Sequence, residues 1–309
     1  MMADIVPPAD RVRAFSLNYW AINLGFAVAA ILAGLLASTG YLTLFLVDAA
    51  TTLVFAVLVY LRVPESHPTL GPGLGRPAPH LGGGMSAGSM ADVLRDRTFM
   101  VFMLLTFGFA IVFMQHMSTL PVQMADDGLK PSEYGVVISL NAVLIVLVTV
   151  PLTRWLQRFP TPASLAVSGL FVGIGFGATA WAASVPAYAG TVIIWTIGEL
   201  IGSAIAPAVV ADLSPAALRG RYQGALTFTF SLAAMVAPAG GGWVYDHLSG
   251  DALWAGCALV SFAMALGQLL AGPAREHRLA KLRADEHLIS DAVPVPVPAT
   301  AQEADEAIR

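Results

Sequence analysis

The sequence predicts an all-α integral membrane protein of about eight transmembrane helices, two closing one six-helix half and six forming a second half. Three observations carry that expectation. Of 309 residues, 12% are charged and 57% hydrophobic, with a mean hydropathy of +0.72, whereas soluble domains carry about 25% charged residues. Apolar runs of about 20 residues, enough to cross a bilayer core of roughly 30 Å, recur eight times along the chain. The third observation is an internal echo. Arg11 and Arg13 introduce one apolar run, and 208 residues later Arg219 and Arg221 introduce another; the same offset pairs Leu24 with Leu232, Val28 with Val236, Ala29 with Ala237 and Gly34 with Gly242. A repeat that long is half of a twelve-helix membrane protein, not a solenoid unit.

The first run, 14–38, is joined to the second, 41–61, by the tight turn Ser38-Thr39-Gly40. A stretch from Arg62 to Arg97 follows, punctuated by Pro68, Pro72, Pro77, Pro79 and the glycines 82–84; it has no core to bury and reads as a linker. Six further runs come with short loops: 98–123, 134–155, 163–184, 187–210, 222–245 and 252–271. In hydrocarbon every backbone N–H and C=O must be bonded within its own element, so these runs are helices. Residues 275–287, rich in Arg, Lys and Glu, are expected to form a surface helix. The Pro-Val alternation at 294–298 and the acidic end are expected to be disordered. The division is therefore 1–61, the last two helices of an N-terminal bundle; 62–97, a linker; 98–273, a C-terminal six-helix bundle; and 274–309, a tail. Matching the first run to the seventh makes the opening pair the fifth and sixth helices of a half, with four more expected ahead of Met1.

The basic residues orient the chain. When the spans alternate, Arg11, Arg13, Arg62, Arg76, Arg95, Arg97, Arg154, Arg158, Arg219, Arg221, Arg275, Arg278, Lys281, Arg283 and Arg309 fall on one side and Lys130 on the other. The positive-inside rule makes the crowded side cytoplasmic, both termini included. Residues 1–10 lack the basic and apolar regions of a secretory signal. The excess of arginine over lysine hints at a GC-rich bacterial gene, and a multi-pass protein of a bacterial inner membrane is expected. A single cysteine, Cys257, excludes a disulfide framework or a cysteine-rich metal site.

Local motifs then carry a resemblance. Gly25, Ala29, Ala30, Ala33 and Gly34 fall on the pattern G-x-x-x-G-P-x-x-G-G with its proline absent, and Ala237, Pro238, Gly241 and Gly242 keep more of it. Pro151 through Arg154 to Arg158 resembles a degenerate basic loop motif. Gly198-Glu199, Asp212, Pro215, Arg219-Gly220-Arg221 and Gly224 resemble a tenth helix and the loop after it. In their order and spacing, from Pro8 to Pro273, these resemble the major facilitator superfamily, and most of all its bacterial multidrug-efflux branch. The resemblance implies a secondary active transporter, a proton-coupled exporter of small amphipathic compounds working by alternating access. It implies a small-molecule substrate, protons as coupling ion, the lipid bilayer as surroundings, no nucleic acid, no cofactor, and a monomer when full length. The missing proline weakens the antiporter assignment. A second reading stays open at this stage: a fragment without transport activity, or a membrane scaffold, lacking four N-terminal helices.

Ionisable groups inside spans cost roughly 2.5–3.5 kcal/mol at the bilayer centre, so they usually face a cavity or a partner. Glu199, midway along its run beside Gly198 and Gly202, is the leading candidate to bind a proton or a cationic substrate; the plainer alternative is a hydrogen-bonded pin between helices. Asp48 is the second membrane carboxylate, expected to bond a neighbouring helix. Gln115 and His116 lie near the outer end of the 98–123 run, where an interfacial role competes with titration. Asn141 and Asn23 glue helices unless Asn141 reaches substrate. Trp195, Trp20, Tyr19 and Phe113 are candidates to stack on an aromatic compound, packing being the plainer role. Asp212 with Arg219 and Arg221, and likewise Arg154 and Arg158, read as a gating charge cluster or as topology signals alone. Gly25, Gly34, Pro238, Gly241 and Gly242 read as helix-packing positions. Gly84-Met85-Ser86-Ala87-Gly88 matches a nucleophile-elbow pattern but lies in the linker, without the strand-turn-helix setting that motif needs. No nucleophile–base pair, phosphate loop or metal-ligand cluster appears, so neither an enzyme nor an ATP-driven pump is expected.

Overall fold

A computed structural model describes residues 6–37, 41–62, 89–156, 158–215 and 218–292. The linker residues 63–88 with their Gly84–Gly88 pattern, the turn at 38–40 and the Pro-Val segment at 294–298 lie outside the described residues. A 3-10 turn, Pro8–Asp10, leads into α1 (Arg11–Ala37), followed by α2 (Tyr41–Arg62) and a short α3 (Met90–Arg95). Then come α4 (Arg97–Ser118), a short α5 (Leu120–Asp126), α6 (Pro131–Leu156), α7 (Thr161–Ala178), α8 (Val185–Leu213), α9 (Arg219–His247), α10 (Gly250–Leu270) and α11 (Gly272–Ala292). Among the described residues, seven helices are long and apolar enough to cross a membrane: α2, α4, α6, α7 with its following turn, α8, α9 and α10. The eighth, α1, spans 27 residues, ample for a crossing. The fold is all-helical among the described residues, as the apolar runs predict.

Two predicted spans are shorter than the apolar runs suggest. The 98–123 run breaks after Ser118: the Thr119 N–H still bonds the Gln115 carbonyl at 3.0 Å, and Pro121 opens the first turn of α5. Proline has no N–H to continue the ladder, so it suits a helix start. The 163–184 run stops at Ala178 and tightens into a 3-10 turn, Thr179–Trp181. Elsewhere short polar side chains cap the helix starts. Asp96 accepts the Phe99 N–H (3.1 Å) at the start of α4, and Ser249 accepts the Ala252 N–H (3.0 Å) at the start of α10.

The six long helices from α4 to α10 pack around α8, the most buried of them. Helix α7 lies between α8 and α10, and α9 lies along α4. Small residues allow these approaches. On α7, Gly169, Gly173 and Gly177 repeat every fourth residue against α10, where a Cβ at Gly169 would stand 3.0 Å from Ala265 and one at Gly177 2.9 Å from Ala258. That spacing is the small-residue stripe by which membrane helices close together. Helix α1 packs on α6 and α8, while α2 touches chiefly α1 and buries nothing over Phe45–Arg62. Leu104, Leu147, Met235 and Leu259 are among the large apolar side chains left on the outside, as a hydrocarbon environment requires.

The tail helix is not simply a surface element. Arg275 on α11 is buried: its guanidinium lies over the Phe102 ring, 5.3 Å from the centroid, and donates to the Gln268 carbonyl (2.9 Å) and side-chain oxygen. Burial pulls this guanidinium down to about 10, still charged at neutral pH. Arg278 reaches Asp96 at 3.5 Å, and Asp96 also accepts from the Tyr222 hydroxyl at 2.9 Å.

Candidate functional site

Glu199 sits midway along α8 because two glycines let α7 close against it. A Cβ at Gly198 would lie 2.6 Å from the Ser168 carbonyl oxygen, and one at Gly202 2.9 Å from the Ser168 hydroxyl. Ser168 in turn donates to the Gly198 carbonyl at 2.6 Å. With α7 filling that side, the Glu199 carboxylate meets α1 and α6. The Tyr19 hydroxyl of α1 donates to Oε1, and the Asn141 amide of α6 donates to Oε2 at 2.6 Å and to Thr196 Oγ1 at 3.0 Å. Glu199 is 5% exposed, so these donors replace the water it has lost. Helix α1 is tied to α6 there, where Trp20 Nε1 donates to the Val146 carbonyl at 3.0 Å, whereas Asn23, expected to join helices, donates to the Tyr19 carbonyl of its own helix at 2.9 Å.

Beside this cage opens a cavity of about 410 Å³, bordered by α1, α4, α7, α8, α9 and α10. That volume is within the span of small-molecule sites, roughly 300–1,000 Å³. Phe109, Phe113, Phe230 and Met264 give it an aromatic and soft apolar wall, while Tyr19, Ser203 and Gln268 add polar edges. Among the described residues lining it, Glu199 is the one carboxylate, and no arginine or lysine lines it. A buried carboxylate at the rim of an apolar chamber can bind a proton, or can offer a single negative charge to a ligand.

The other candidates separate. Asn141 joins Glu199 directly. Trp195 does not face the chamber: its ring is buried in an aromatic cluster, stacked on Phe176 at 5.4 Å between centroids and edge-on to Phe113 at 5.9 Å. His116 belongs to the same cluster, its Nδ1–H donating to the Phe113 carbonyl at 2.6 Å. Gln115 is buried against α9, donating to the Ala237 carbonyl at 3.1 Å and accepting from Thr119 Oγ1 at 2.9 Å. It pins two helices and is not part of the chamber. Asp48 lies exposed on α2, its backbone carbonyl accepting from Thr51 at 2.9 Å. The bond to a neighbouring helix expected of its carboxylate is not seen among the described residues, because α2 presents Asp48 outward.

Asp212, at the end of α8, forms an ion pair with Arg11 of α1, so a residue of α1 joins the charges expected at this end. Arg221, Arg154 and Arg158 are exposed, and Arg219 is half-buried. Of the predicted packing glycines, Gly241 meets Gln115, but a Cβ at Gly25 or Gly242 would find nothing within 4 Å. These two face away from neighbouring helices, and the close approaches belong to α7 and α8. Pro238 lies exposed inside α9, and Gly34 falls in α1 where side-chain surroundings are not described. Tyr19, the most informative partner, was marked by its ring alone. Nothing in the local sequence says that a residue 180 positions away points at it.

The model of a family described as the Major Facilitator Superfamily matches residues 1–124 and 115–302. The chain is 28% identical over 254 residues to the uncharacterised MFS-type transporter YqjV of Bacillus subtilis, covering 80% of this chain and 59% of that protein. It is 23% identical to a Na(+), Li(+), K(+)/H(+) antiporter of Planococcus maritimus over 83% of this chain and 67% of that one. A shorter stretch, 51% of this chain and 39% of the relative, is 28% identical to the multidrug resistance protein MdtH of Cronobacter sakazakii. Among solved structures, the human organic anion transporter MFSD10 superposes with a TM-score of 0.69 at 18% identity, over 86% of this chain and 66% of that one. The chain spans about three fifths of the length of the two Bacillus relatives it matches.

Proposed function

The chain belongs to the Major Facilitator Superfamily, and from that premise we propose that it is part of a secondary active transporter that couples proton movement to the efflux of small amphipathic molecules. The observation that carries the reading is Glu199, the one carboxylate among the described lining residues, set at the edge of a mainly apolar and aromatic chamber. An amphipathic compound places its apolar body against Phe109, Phe113 and Phe230 and its polar or cationic end toward Glu199. Proton and substrate then compete for one carboxylate, which is the simplest way to make their movements opposite. Helices α1 and α2 are taken as the end of an N-terminal bundle and α4 to α10 as the second bundle, joined by residues 62–97. Rocking of one against the other around the chamber gives alternating access. The Arg-rich face is taken as cytoplasmic, in a bacterial inner membrane.

One relative's name, a Na(+), Li(+), K(+)/H(+) antiporter, supports exchange of alkali cations against protons, and another's, a multidrug resistance protein, points toward drugs. The apolar wall favours the organic compound, because a metal cation needs several oxygen ligands. Reconstitution into proteoliposomes tests this. An imposed pH gradient should drive export of a fluorescent amphipathic cation, and Glu199→Gln should abolish it. Undiminished proton-driven export in that variant would refute the role of Glu199. Sodium or potassium movement without export of the organic probe would instead support the cation-exchange reading.

A further inference from the structure

We propose that Glu199 is also a mechanical latch: while charged, it holds α1 against the six-helix bundle through the Tyr19 hydroxyl, and its protonation loosens that seam. The inference rests on the reading of Glu199 as the proton site, and adds how a proton there moves a helix. Helix α1 packs on the bundle along α6 and α8, and polar ties among the described residues cross that seam. They include the Arg11–Asp212 ion pair at the Arg-rich end, the Trp20 bond to the Val146 carbonyl, and the Tyr19 bond to Glu199, with Ser203 of α8 also bonding the Tyr19 side chain. The Tyr19 ties join the seam to the chamber, since Tyr19, Glu199 and Ser203 all line it. A proton or ligand that reaches the carboxylate therefore meets the phenol.

The chemistry gives the direction. A hydroxyl donating to a carboxylate makes a charge-assisted bond, roughly twice as strong as one to a neutral acceptor. When a proton binds Glu199 the charge assistance is lost at both oxygens. Asn141 lies on α6 and so stays with the bundle; its amide fixes Oε2 and leaves Oε1 to Tyr19. Asn141 is thus a positioning residue, and Tyr19 is the moving contact. The groups facing Glu199 from the packed helices are few. Helix α1 presents Tyr19, α6 presents Asn141, α7 presents Ser168 behind the glycines, and α4 presents Phe109 beside Gly202. His116 of α4 is engaged with Trp195 and Phe113, and the charged groups on the same seam, Arg11 with Asp212 and also Arg13 and Arg154 beside a small cleft between α1 and α6, lie at its Arg-rich end.

The test is a distance measurement on the full chain in lipid nanodiscs. With Cys257→Ser as background, spin labels at exposed Leu17 on α1 and exposed Val143 on α6 report the seam by pulsed electron resonance between pH 5 and pH 9. The unsubstituted pair should show a close population at alkaline pH and a growing separated population in acid. Glu199→Gln should show the separated population at every pH. Tyr19→Phe keeps the ring and removes one bond to a charged group, so the separated population at pH 8 should rise roughly tenfold. If Tyr19→Phe leaves the populations and their pH response unchanged while Glu199→Gln alters them, the latch is refuted and the proton-site reading stands. If Glu199→Gln changes neither the distances nor proton-driven export, both fall.

Discussion

Two carboxylates lie within the predicted spans, and the surroundings make them different groups. Glu199 on α8 is buried, held by a phenol from α1 and an amide from α6, and opens on a chamber. Asp48 on α2 is exposed, on a helix that buries nothing along its apolar window. By position in an apolar run the two look alike. What distinguishes them is how many helices converge: α8 is packed by α1, α6 and α7, whereas α2 meets chiefly α1. A membrane carboxylate is enclosed by donors where close-packed helices can supply them, and small residues decide where helices pack closely.

The comparison is broken most directly by exchanging each carboxylate for its amide. Glu199→Gln should eliminate proton-driven export in proteoliposomes, because the amide neither gains nor loses a proton. Asp48→Asn should leave the export rate nearly unchanged. Equal losses from both would mean that burial and donors do not separate the two, and would move the site away from the chamber.

A second contrast sharpens the role of packing. At Gly198 an added methyl meets the Ser168 carbonyl at 2.6 Å and Val172 Cγ2 at 2.7 Å, while at Gly242 it meets nothing within 4 Å. Gly198→Ala should therefore cost about 1–3 kcal/mol from overpacking and push α7 off α8, weakening transport along with thermal stability. Gly242→Ala should be neutral, or stabilising by up to about 1 kcal/mol through better helix propensity. Thermal unfolding in detergent measures both, and a stable Gly198→Ala variant would show that α7 can yield.

Much of this fold is legible in the sequence. The apolar runs match the helices to within a few residues where caps are local, as with Asp96 and Ser249, and Glu199, singled out as the leading candidate, lies at the chamber's rim. The misses share a cause. Proline at 121 is compatible with a helix start as well as an apolar run, so composition did not show the break at Thr119. Asp212 also pairs with Arg11 of α1, a partner that its neighbours in sequence do not indicate. Gly25 and Gly242 fit a family pattern, but which face of a helix meets a neighbour is set by tertiary packing. Contacts between residues about 180 to 200 positions apart leave no local trace, and the Tyr19–Glu199 and Arg11–Asp212 ties are of that kind.

The smallest effect is expected from a third pair of like residues, Arg275 and Arg221. Arg221 is exposed at the start of α9, while Arg275 is buried against Phe102 and Gln268, a residue that also lines the chamber. Arg275→Lys keeps the charge but loses the planar fork that bonds both Gln268 oxygens, and should cost about 1–2 kcal/mol of local stability. Arg221→Lys should cost almost nothing. Because Arg275 anchors the first turn of α11, the loss should appear as faster amide hydrogen exchange confined to that helix, with the bundle unchanged. Unaltered exchange in Arg275→Lys would mean that Leu279, packed on the apolar core, holds the helix instead. In that case the tail and the chamber would be joined by apolar contact alone, and Gln268 would be free to turn toward a ligand.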